Sequence, residues 1–145
     1  MYKHILLPTD GSELSKRAVE HGIALAKTVK ARVTALVVST PLQDLVVEPS
    51  RVAGSLVQYR QLVAEYTAKY LGAVRDAAAS SGVNCDVVGI EHNQPYEAII
   101  ETANKNGCDL IIMASHGLSG TSPIVLGSET LKVLTHTNIP ILVYR

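Results

Sequence analysis

The chain has neither tryptophan nor phenylalanine, and its six aromatic residues are all tyrosines. Tyr59, Tyr66 and Tyr70 share one helical spacing, which reads as packing rather than as a platform for stacked bases. An excess of charge of either sign is also missing, because 13 Lys and Arg balance 13 Asp and Glu. Nucleic acid calls for a basic stripe, so it is not an expected partner. The two cysteines, Cys85 and Cys108, form no CxxC and match no zinc spacing. They read as small buried thiols in a reducing compartment. The apolar run before Pro8 is only Ile5-Leu6-Leu7. A signal peptide needs about 7–15 apolar residues and a membrane span about 20, so a cytoplasmic protein without membrane insertion is expected. Five scattered histidines, at 4, 21, 92, 116 and 136, make no metal pattern. Neither a metal set nor a catalytic set is assigned.

What the chain does have is Val, Ile, Leu and Ala, which dominate a 47% hydrophobic composition over 145 residues. That length suits one domain, residues 1–145, burying about two thirds of its unfolded surface. Short apolar runs are expected as strands at residues 2–7, 32–39, 84–90, 110–113 and 139–144. Helical patterns lie between them. Ser12 can cap the first helix, with Glu13 in its first turn. The second runs over about residues 55–80, after a Pro-containing connection at 40–54. Pro95 suits the first turn of the third, and Gly127-Ser128 opens the fourth. The order β-α-β-α-β-α-β-α-β argues for an α/β fold, a doubly wound parallel sheet with helices on both faces.

In such sheets ligands sit beyond the carboxyl ends of the strands, where the strand order reverses. Two segments qualify, Pro8-Thr9-Asp10-Gly11-Ser12 after the first strand and residues 114–128 after the fourth, which ends at Met113. The second is strand, glycine-containing loop and helix N-terminus, an arrangement suited to a phosphate. Ionised Asp10 accepts hydrogen bonds only and suits ribose hydroxyls. Each residue also has a structural reading: Asp10 as a turn brace or helix cap, Ser128 as an N-cap, Gly117 and Gly127 as turn glycines. Missing motifs narrow the field. Without GxxxxGK[ST] a P-loop is excluded, and without GxGxxG after the first strand there is no dinucleotide fingerprint.

The segment Ala114-x2-Gly117-x9-Gly127-Ser128 resembles the G-x2-G-x9-G-[ST] signature of the universal stress protein family. The opening ILLPTDGS, the run IIMASHG and the closing IPILVYR are similar to it too, over the entire chain. The resemblance implies five parallel strands in the order 3-2-1-4-5 and a homodimer through the last strand. It also implies a stress-response or regulatory protein that binds ATP, or AMP or another adenine nucleotide, with Mg2+ as counter-ion, little turnover and a protein partner still to be named. Carried over by motif, Thr9 and Asp10 would lie near adenine and ribose, Val38 at adenine, and Gly117, Gly127 and Ser128 at the phosphates. Pro8, Met113, Ala114 and His116 complete the expected binding set.

Two departures stand out. Ala114 replaces the opening glycine, which would cost about 1–2 kcal/mol if that position needed positive φ, or press a methyl on the ligand if it needed close approach to a phosphate. Leu118 stands where many members carry a basic residue, and residues 115–126 hold no Lys or Arg. The alternatives are a nucleotide-free dimeric interaction module of the same fold, or a weak ATPase or autokinase using Ser119, Thr121 or Ser122.

Overall fold

The structure is a computed structural model and describes residues 1–41, 53–117 and 127–145. Five strands alternate with four helices: β1 (His4–Pro8), α1 (Glu13–Val29), β2 (Arg32–Ser39), α2 (Ala53–Ser80), β3 (Cys85–Glu91), α3 (Pro95–Lys105), β4 (Leu110–Ala114), α4 (Ser128–His136) and β5 (Ile141–Tyr144). The strands form one parallel sheet in the order β3-β2-β1-β4-β5. The expected α/β fold and strand order are therefore observed.

Alternation along the strands builds two cores. Ile5, Leu7, Val33, Ala35, Val37 and Ile112 point to one face, where Val19, Ile23 and Ala26 of α1 and Leu71, Val74 and Ala78 of α2 cover them. Leu6, Leu36, Ile111 and Met113 point to the other, under Ile99 and Ala103 of α3 and Val133 of α4. The central strands are buried throughout, as a sheet covered on both faces requires.

Boundaries moved at several places. β1 begins at His4 rather than residue 2, because the N–H groups of Lys3 and His4 are taken by the Asp109 carboxylate. β5 begins at Ile141 rather than 139, since Pro140 has no N–H for a ladder and instead accepts a bond from Ile111 N. α2 already includes Ala53, and residues 42–52 of the expected connection lie outside the described residues.

Ser12 caps α1 as expected, its hydroxyl accepting from Ser15 N at 3.2 Å. At α4 the N-cap is Gly127, which makes no side-chain cap bond, and Ser128 is the first helical residue. The N-cap reading of Ser128 is thus corrected.

Candidate functional site

α1 and α2 cover one face of the sheet, α3 and α4 the other, and the chain changes direction between β1 and β4. Beyond the carboxyl ends of these two strands lies a cleft of about 250 Å³. Pro8, Thr9, Asp10, Val38, Met113, Ala114, His116, Gly117, Gly127 and Ser128 all line it. Topology, not sequence proximity, brings Asp10 to Gly117.

The first wall is a self-bonded turn. Thr9 N donates to Leu36 O at 2.9 Å, which ties the turn to β2. Ser15 Oγ donates to Ser12 O, and the Thr9 hydroxyl bonds Ser15 Oγ at 3.0 Å while accepting from Gly11 N. The Thr9 hydroxyl therefore serves the turn. Gly11 has φ +79°, and a Cβ there would run into the Tyr70 ring, so both conformation and space demand glycine. Asp10 Oδ1 accepts from Ser12 N at 3.0 Å, the expected turn brace.

Of the α2 tyrosines, Tyr70 packs against the core as expected, whereas Tyr59 and Tyr66 act differently. Tyr59 donates its hydroxyl to Thr40 O at 2.7 Å, and the half-exposed Tyr66 donates to the Asp10 carbonyl. Tyr70 stacks edge-on against Tyr66 and lies over Gly11. Burial, and then the Asp10 charge, push the Tyr66 phenol above its ordinary pKa, so it remains a donor.

The second wall follows β4. Ala114 is the last residue of that strand, in register with Tyr144, and its carbonyl accepts from Thr130 Oγ1 at 2.8 Å. Its backbone is not left-handed, so the strain considered for an alanine here does not arise. Ser115 N donates to Tyr144 O at 2.7 Å, and Gly127 N donates to Ser115 O at 2.6 Å.

Neither signature glycine in the described residues has positive φ. Both stand close against neighbouring atoms. A Cβ on Gly117 would fall on the Asp10 carboxylate, and one on Gly127 would press on His116 Cα and Ser115 O. The turn-glycine reading is replaced by close approach. Leu118, Ser119, Thr121 and Ser122 lie outside the described residues.

Six lining residues were not among those expected from the sequence: Ser15, Leu36, Pro95, Ile99, Glu129 and Thr130. Leu36 was findable, two positions before Val38 and thus on the same strand face. Glu129 Oε2 accepts from Tyr96 N at 3.0 Å, so α4 caps α3, whose own N-cap Gln94 makes no side-chain bond. At the opposite end of the sheet, Asp109 sits far from the cleft as expected, bonded by Lys3 N and His4 N.

A family model for the universal stress protein family matches residues 1–145. The chain belongs to that family. Universal stress protein MJ0531 of Methanocaldococcus jannaschii is 34% identical over 147 residues, spanning all of this chain and 83% of the relative. The solved structure of MJ0577, from the same organism, superposes with a TM-score of 0.84 at 30% identity, covering 99% of this chain and 96% of that one. Two further universal stress proteins share the fold. One, solved in complex with cAMP, has a TM-score of 0.73 at 23% identity, over 99% of this chain and 97% of its own. The other, from Archaeoglobus fulgidus in complex with dAMP, has 0.65 at 15%, over 99% and 98%. Among the described residues, no helix of this family member is long and apolar enough to cross a membrane.

Proposed function

We propose that this protein is an adenine-nucleotide-binding regulator of the stress response, acting by binding rather than turnover. One observation carries the reading: the turn that bears Asp10 and the glycines of the signature segment line a single cleft at the reversal point of the sheet. Apolar side chains, Leu36, Val38, Ile99 and Met113, offer a slot for a flat base. Asp10 supplies an acceptor for ribose hydroxyls. The start of α4 offers a phosphate the positive end of a helix and its first-turn backbone N–H groups. Relatives of the same fold solved with cAMP and dAMP support an adenine ligand.

The protein also pairs with a second copy through β5, the edge strand of the sheet. The exposed Leu131 and Leu134 belong to the preceding helix and would join that contact. The paired surface, with a nucleotide in each cleft, is what a protein partner reads in the cytoplasm.

Thermal unfolding with and without nucleotide tests the proposal. At a hundredfold excess over Kd a native-state ligand stabilises by about 2.7 kcal/mol, or about 5–10 °C for a chain of this size. A shift of that order, abolished by Asp10→Ala, is expected. No shift with ATP, ADP, AMP or cAMP would leave the nucleotide-free interaction module instead.

A further inference from the structure

We infer that this cleft takes adenine nucleotides carrying one phosphate, AMP or cAMP, in preference to ATP; the inference rests on the nucleotide reading above. Asp10 and Glu129 are acidic lining residues, and His116 is the one basic residue among the described lining residues. The sequence from 115 to 128 adds neither Lys nor Arg. Two lysines on neighbouring helices are already engaged. Lys16 pairs with Glu13 at 3.2 Å and stands off the Tyr70 ring, and Lys132 pairs with Glu129 at 3.3 Å beside the Tyr96 ring. Neither lines the cleft.

Anion binding here rests on N–H groups and the positive end of α4. That end already has a carboxylate in its first turn, Glu129, whose second oxygen is spent on Tyr96 N. One phosphate can be met by backbone donors. Each further phosphate adds negative charge facing Asp10 and Glu129, and among the described lining residues there is no Lys or Arg to offset it.

The test is calorimetric titration with adenosine, cAMP, AMP and ATP, the last with and without Mg2+, at about 20 and 300 mM salt. cAMP or AMP is expected to bind at least tenfold tighter than Mg2+-free ATP. Salt decides the cause: ATP affinity rises with salt if carboxylates repel it, and falls if hidden cations hold it. Glu129→Gln should narrow the gap between ATP and AMP, while the salt series on the unaltered protein stands even if that variant folds poorly. ATP binding as tightly as AMP without Mg2+, or weakening with salt, overturns the inference and leaves the nucleotide reading intact. If none of the four binds, the nucleotide reading itself falls.

Discussion

Gly117 and Gly127 pose the same question with opposite answers, because the atoms that a methyl would meet differ in kind. In Gly117→Ala the new Cβ lands on the Asp10 carboxylate. That carboxylate ends a rotatable side chain, so it can turn aside at the expense of its 3.0 Å bond from Ser12 N. A hydrogen bond to a charged group contributes about 1.5–3 kcal/mol when buried. For the half-buried Asp10 about 1 kcal/mol is expected, a Tm loss of about 2–4 °C. Nucleotide affinity should fall at least tenfold, since the ribose acceptor has moved. In Gly127→Ala the Cβ stands 3.1 Å from both His116 Cα and Ser115 O. These are backbone atoms and have no rotamer to change. The same residue donates the 2.6 Å bond to Ser115 O, so relief would stretch that bond. Overpacking of this kind costs about 1–3 kcal/mol, or about 2–12 °C in Tm. Thermal unfolding and cAMP titration on both variants give the comparison. Gly117→Ala should be nearly as stable as the parent and bind poorly, whereas Gly127→Ala should be the less stable of the two. A Gly117→Ala protein that binds cAMP like the parent, or a Gly127→Ala protein with an unshifted Tm, refutes the close-approach argument for that glycine.

Tyr66→Phe removes the phenol that bonds the Asp10 carbonyl; cAMP affinity is expected to drop about two- to tenfold with little change in Tm, and unchanged affinity would show that the turn needs no support from α2. His4 is buried and bonded to Thr34 Oγ1 at 2.7 Å, and burial, then Arg32, lowers its pKa below 6.5. The unfolded chain therefore binds a proton that the native state resists, so stability is full above about pH 6.5 and falls below it by at most about 1.4 kcal/mol per pH unit. Urea midpoints at pH 7.5 and 5.5 check this, and His4→Gln should flatten the difference; the same slope in both proteins would assign it to other groups.

Elements whose pattern follows from local rules were legible. The buried apolar runs of β1 and β4 and the Ser12 cap needed only periodicity and capping chemistry. The candidate cleft was legible as two segments, because motif spacing marks positions even when it is silent about their cause. What spacing could not tell was why glycine stands at 117 and 127: the expectation was turn geometry, and the reason is a neighbour arriving from β1 or from the adjoining backbone. Tyr59 and Tyr66 show a related limit. A 3-4 spacing puts side chains on one helix face but does not say whether that face buries rings or presents hydroxyls to a loop. Glu129, Pro95 and Ile99 reach the cleft only because α3 and α4 share a face of the sheet.

The bond from Ser115 N to Tyr144 O has a consequence in time. One wall of the cleft is anchored by residue 10 and the other by residue 144, so the site joins both ends of these 145 residues. A chain emerging from the ribosome at about 5–20 residues per second can assemble β1, β2 and β3 early. It cannot fasten Ser115 until Tyr144 has cleared the exit tunnel. A growing chain therefore forms most of its sheet before the second wall of the cleft is fastened.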